Sequence, residues 1–232
     1  IFNFFFLISI SGVVIPGTLF YIAASKVPAG ILSLSVAFVP MLTYVSSLYL
    51  KIETFSLLRI SGVFLGFIAI FLLIGPPDSF ADRSMVPWVL LAMICPICYT
   101  FENVFIDIKK PMEVNSITLA LGSSAITILI LLPIIFYFEL FIDIKYPFQK
   151  IEFSIIALGF ITAVAYTLFI YLITNAGAVF ASNVGYVVTI SGVIWGIVLF
   201  QETHSYWVWL SLITMIIGLS LVSPRRKTKK LS

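Results

Sequence analysis

Charge is scarce in this sequence: thirteen Lys and Arg and ten Asp and Glu make up only 10% of its 232 residues. A soluble globular domain carries about a quarter, so an ordinary solvated surface is excluded. Histidine occurs once, as His204, and cysteine twice, as Cys95 and Cys98 in a Cys-Pro-Ile-Cys inside an apolar run. A zinc or redox centre would need further ligands or a soluble setting, so the two thiols read as small buried side chains. There is no Gly-x-Ser-x-Gly, no His-Glu-x-x-His, no phosphate loop and no pair of acids within an apolar run. An enzyme or an ATP-driven machine is therefore not expected, and no cofactor or metal is implied. Nor does the net charge of +3 suggest nucleic acid. Arg225, Arg226, Lys227, Lys229 and Lys230 lie in the last eight positions, leaving eight basic residues against ten acids elsewhere.

What fills the sequence instead is hydrocarbon. Hydrophobic residues make up 61% of it and its mean hydropathy is +1.18. The charges cluster between apolar runs of roughly 18 to 24 residues, long enough at 1.5 Å per residue to cross a core of about 30 Å. In lipid every backbone amide needs an internal partner, and runs this uniform lack the period-two alternation of barrel strands, so they must be helices. The expectation is an all-α polytopic membrane protein in a lipid bilayer, with eight spans near 2–24, 28–50, 56–75, 86–106, 116–138, 153–174, 177–200 and 206–223. With the basic tail, 224–232, in the cytoplasm, the cytoplasmic side holds Lys51, Arg59, Lys109, Lys110 and the five tail residues. Lys26, Arg83, Lys145 and Lys150 then lie outside. This is the positive-inside asymmetry, and the tail decides it.

One pattern occurs twice: an apolar run, Glu-Thr-x-Ser, and a second apolar run. Shifted by 149 positions, Glu53 and Thr54 fall on Glu202 and Thr203, Ser56 on Ser205, Ala29 on Ala178, Ser33 on Ser182, and Thr18-Leu19-Phe20 on Thr167-Leu168-Phe169. Matching spans are an odd number of crossings apart, so the halves are inverted copies, a recurrent design of secondary transporters. The first half, 1–76, holds three spans and the second, 86–223, holds five. Two further spans are expected ahead of Ile1, giving a bundle of ten arranged as 5+5.

The two halves, with LYLKIET closing a run in one and VLFQET in the other, and ICYTFENVFI opening the second half, resemble the EamA domain of the drug/metabolite transporter superfamily. The resemblance implies a ten-helix inverted-repeat carrier with cytoplasmic termini, moving small metabolites such as amino acids and related solutes.

Several polar residues could carry that task. Glu102 is the only acid well inside an apolar run, and Cys95, Tyr99, Glu102 and Asn103 share one helical stripe. An intramembrane carboxylate usually faces the bundle interior. Glu102 is either a substrate or proton contact in a cavity, or a structural group reaching the interface or pairing with a Lys. Pro40, mid-span, removes a backbone donor and leaves the Val36 carbonyl free, which marks either a binding site at a broken helix or a packing kink; Pro16-Gly17 does the same one span earlier. Ser182, Tyr186 and Thr189 share a stripe with Asn183 beside it, and line a cavity or bond a neighbouring helix. Tyr21 and Tyr166 lie on spans that border the cavity in the family. Gly62-x-x-x-Gly66 and Gly192-x-x-x-Gly196 read as close-packing faces. Glu53 and Glu202, with Thr54 or Ser56 and Thr203 or Ser205 as caps, read as architectural.

The function expected is a secondary transporter of small amino-acid-like or amphipathic solutes in the cytoplasmic membrane, exporting by alternating access, with proton coupling through Glu102. The competing reading is a membrane-embedded binding or accessory subunit that moves nothing.

Overall fold

The computed structural model describes residues 2–79, 82–111, 113–141 and 149–222. The basic tail and Lys145 lie outside them. Among the described residues eight apolar helices occupy the expected places: α1 (Phe2–Ala24), α2 (Ala29–Tyr49), α3 (Leu57–Ile74), α4 (Arg83–Lys109), α5 (Ser116–Tyr137), α6 (Lys150–Ala176), α7 (Ala178–Phe200) and α8 (Tyr206–Val222). Seven have 18 residues or more, and α8 has 17. At 1.5 Å per residue even α8 covers about 26 Å. The largest departures from expectation are at α4 and α6. Helix α4 opens with a short 3-10 turn at Arg83–Met85, and α6 begins at Lys150, where a capping box between Gln149 and Glu152 starts it three residues early.

Four of the helices are irregular, three of them where proline dictates it. Pro16 has no N–H and crowds the carbonyl four residues back, and α1 accommodates it with a π-turn at Ile10–Val14. Pro40 sits in the first turn of the second half of α2, which is interrupted at Ala37 and Phe38. Pro96 follows an interruption of α4 at Met93. The fourth break has no proline: α7 is interrupted at Ser182 and Asn183, where the Asn183 and Gly185 amides bond three residues back, to Phe180 and Ser182. Pro133 lies inside α5 without ending it.

The shortest connection carries the one positive-φ glycine. Helix α6 ends at Ala176 and α7 begins at Ala178, and Gly177 between them has φ 87°. A β-carbon is unfavourable there.

The buried apolar residues group unevenly along the bundle. At the end holding the α1–α2 and α7–α8 connections, one cluster gathers α1 to α4, α7 and α8, with Ala23, Leu34, Leu73, Val89, Val193 and Val208 among its members. Towards the other end the core divides in two. One part joins Phe38, Met41 and Tyr44 of α2 to α3 and α8. The other joins Phe4 and Ile8 of α1 to Ile106, Leu119, Ile170 and Ala181 on α4 to α7. Almost none of α6 is buried, and its outward Phe153, Ile156 and Phe160 are more than half exposed. In a bilayer such side chains meet lipid.

Helices α3 and α8 pack through glycine as the spacing suggested. A β-carbon on Gly218 would lie 2.7 Å from the Gly62 carbonyl oxygen, and one on Gly66 would overlap the Met41 thioether. Around Gly159 in α6, by contrast, nothing lies within 4 Å. Gly218→Val is therefore expected to destabilise the protein by about 1–3 kcal/mol, and Gly159→Ala to leave it unchanged or stabilise it by about 0.4–1 kcal/mol. Thermal unfolding in detergent, followed by the loss of the monodisperse peak, separates the two.

Candidate functional site

Helices α2 and α7 cross near their breaks. A β-carbon on Gly185 would sit 3.4 Å from the Val36 carbonyl that Pro40 leaves free, and 3.5 Å from the Pro40 ring. Small residues let two broken helices meet there. On one side of this crossing the helices are joined tightly. The Ser33 hydroxyl donates to the Thr189 carbonyl at 3.1 Å, and the Thr189 hydroxyl donates to the Ser33 carbonyl at 3.1 Å. Gly192 lies directly against Ser33, and Gly196 against Glu202.

Glu202 finishes this join. Its carboxylate accepts from the amides of Ala29 at 2.6 Å and Gly30 at 3.0 Å, the first turn of α2. The side chain is only 11% exposed. Helix amino termini leave unsatisfied N–H groups and a partial positive charge, and hydrogen bonds to a charged acceptor contribute about 1.5–3 kcal/mol each. His204 Nε2 lies 3.4 Å from the same carboxylate, and its ring packs edge-on to Trp209. Burial pushes the His204 pKa below its ordinary 6.5, partly offset by the Glu202 charge.

Beyond the crossing the join is absent. Among the described residues no hydrogen bond links the second half of α2 to the Ala178–Ala181 segment of α7. That segment is held instead by α4, whose Asp107 accepts from the Ala178 amide at 3.2 Å. A cavity of about 490 Å³ lies beside the crossing. Phe20, Val39, Phe169 and Val188 give it apolar walls, and Tyr99, Asn103, Thr162, Tyr166 and Ser182 are the polar residues that line it. The Ser182 hydroxyl donates to the Val179 carbonyl. Asn103 is fully buried, and neither its amide nitrogen nor its oxygen has a partner. Such a group costs about 1–3 kcal/mol.

Glu102 sits behind this cavity and does not line it. It is 2% exposed and its carboxylate rests on Gly12 in the π-turn of α1, where a β-carbon would overlap it. Its Oε1 accepts from the Tyr166 hydroxyl at 2.5 Å. The same hydroxyl is 3.2 Å from Ser123 Oγ, and Ser9 donates to the Ser123 carbonyl, so α1, α4, α5 and α6 meet in one polar cluster. Only Tyr166 of this cluster reaches the cavity. Among the described residues no lysine pairs with Glu102.

The sequence-derived residues thus divide. Tyr99, Asn103, Tyr166 and Ser182 come together on the cavity. Thr189 does not: it is spent on the α2–α7 join. Pro40 is buried against Gly185, and the Asn183 side-chain carbonyl is buried without a partner at the break in α7. Tyr186 packs against the cluster of Phe38 and Met41. Tyr21 is 61% exposed and outside the cavity lining. The Cys95 thiol donates to the Pro16 carbonyl at 3.4 Å. The caps are also unequal. Ser205 Oγ accepts from the Val208 amide, whereas Ser56 makes no cap bond; there the Tyr44 hydroxyl accepts from the Ser56 amide and donates to the Thr54 carbonyl. The roles of Asp107 and of Gly12 had no signal in the sequence, since both depend on contacts between distant helices.

A model of the EamA-like transporter family matches residues 86–223. The chain belongs to that family. No curated protein matches it. Membership makes this EamA chain a multi-pass membrane transporter of the drug/metabolite superfamily, with a small-molecule substrate.

Two outcomes test the geometry of this EamA chain. Glu102→Gln keeps an acceptor for Tyr166 and fits against Gly12, so it should unfold near the wild-type temperature, while Glu102→Ala should lose about 2–3 kcal/mol. Equal stability of the two variants would remove the packing role assigned to the carboxylate. For His204, the lowered folded pKa means that the unfolded chain binds more protons below about pH 6.5, so stability falls as pH drops through that range. Melting from pH 8 to pH 5 should show this decline, reduced in His204→Gln.

Proposed function

We propose that this chain is a secondary carrier for small metabolites in the cytoplasmic membrane, working by alternating access between two inverted repeats, 1–76 and 86–223, with export as its direction. The observation that supports this most is the unequal crossing of α2 and α7. One end is closed by Glu202, Ser33 and Thr189 over a single apolar cluster. The other end has two separate clusters, and among the described residues no hydrogen bond joins the second half of α2 to Ala178–Ala181. A structure built from inverted copies can exchange which end is closed, and by the repeat Ala178 stands where Ala29 does. With the basic tail in the cytoplasm, the unjoined end is the cytoplasmic one, a state suited to loading a solute for export. Glu102 is the coupling group. A solute that draws on the Tyr166 hydroxyl changes what the Glu102 carboxylate is bonded to, which gives proton coupling a physical route.

Solute counterflow in proteoliposomes, with a labelled panel of small metabolites, tests the carrier. Ser33→Cys combined with Thr189→Cys tests the gate: oxidation should reduce exchange at least tenfold, and reductant should restore it. Full exchange through a verified cross-link would sink the alternating-access reading. A folded protein that bound a solute yet exchanged none would be a binding subunit.

A further inference from the structure

We infer that the cavity beside the α2–α7 crossing takes a neutral, flat solute carrying an N–H and a C=O side by side, such as a carboxamide, lactam or cyclic imide. The assignment rests on that cavity being the carrier's substrate site. Its first support is charge. Among the described residues that line the cavity there is no Lys, Arg, Asp, Glu or His, and Glu102 lies behind it, already bonded to Tyr166. A zwitterion or an anion entering would leave water without a counter-ion, which is costly in an apolar setting.

The second support is Asn103. Its side-chain amide presents one donor face and one acceptor face, both without a partner and fully buried. A buried polar side chain is ordinarily satisfied. The group that satisfies both faces at once is another amide edge, N–H to its oxygen and C=O to its nitrogen, the same bidentate pairing that lets an asparagine read adenine. Ser182 does not compete for that edge, because its hydroxyl is given to Val179. Phe20, Tyr99, Tyr166 and Phe169 contribute aromatic rings to the walls, and rings favour a flat ligand. At about 490 Å³ the cavity is of the size that holds a small ligand.

The test is equilibrium binding of tritiated uracil to the protein in lipid nanodiscs, with nicotinamide, nicotinate and threonine as competitors. Saturable uracil binding is expected, displaced by nicotinamide at concentrations at least tenfold below those needed of nicotinate or threonine. Asn103→Leu should weaken uracil binding at least tenfold while unfolding no earlier than the wild type, since it removes an unsatisfied amide. If that variant does not fold, Asn103→Asp serves, because it keeps an acceptor and loses the donor. Gly159→Ala, outside the cavity, should bind as the wild type does. Tight binding of threonine or nicotinate, unchanged binding by the Asn103 variant, or no saturable uracil binding would each overturn the assignment. Counterflow with the same solutes separates this from the carrier reading. Threonine exchange without amide binding sinks the solute class and keeps the carrier, whereas amide binding without exchange keeps the solute class and sinks the carrier.

Discussion

The carboxylate of Glu202 on the first turn of α2 is the contact on which the close approach of α2 and α7 depends. Each helix in a membrane begins with amides that no internal carbonyl can satisfy, and water is not available to a start tucked among other helices. Gly30 is buried in that way and Ala29 beside it is exposed, and both donate to one acceptor, 172 and 173 residues away in the chain. The bond therefore fixes a helix start and a domain contact together. Once it is made, Gly30, Gly192 and Gly196 let the backbones come close enough for Ser33 and Thr189 to trade hydrogen bonds, and the apolar cluster beneath closes around them.

The related start at Ala178 has the same need and meets it differently. Sequence symmetry offers Glu53 as the counterpart of Glu202, yet Glu53 is paired with Arg59 at 2.9 Å, and Arg59 lies over the Tyr44 ring. Asp107, at the end of α4, caps Ala178. The requirement is repeated in both halves while the residue that meets it is not. One cap therefore joins Glu202 to α2 across the crossing, and the other ties α7 to α4.

Much of this was legible in the sequence, for physical reasons that differ by element. The eight helices follow from run length and from the demand that hydrocarbon places on backbone amides. The breaks at Pro40 and Pro16 follow from a missing donor, and the glycine contacts at Gly62, Gly66, Gly192 and Gly196 follow from their spacing. The break at Ser182 and Asn183 was not legible, because no proline marks it and serine is common in regular membrane helices. The stripe of Tyr99, Glu102 and Asn103 was seen as a unit, but one helix face is wide enough to serve two neighbours. Asn103 turns to the cavity and Glu102 to Gly12, and only the position of α1 decides between them. The two readings of Thr189 stay open in the sequence for the same reason: a polar atom facing inward does not say whether it meets a cavity or another helix, and here it meets α2.

In the proposed carrier, that division of the α4 stripe would keep binding and coupling apart. A carboxylate lining the cavity would meet solute directly, and its charge would select what enters. Placed one layer back, Glu102 touches the cavity only through the Tyr166 hydroxyl, so the walls stay neutral while the acid remains within one hydrogen bond of whatever occupies them. Gly12 enforces this position, since any side chain there would push the carboxylate forward. The π-turn that carries Gly12 exists because Pro16 disturbs α1 one turn later. A proline in α1 thus sets the turn, the turn presents a glycine, and the glycine holds the membrane-buried acid behind the cavity wall.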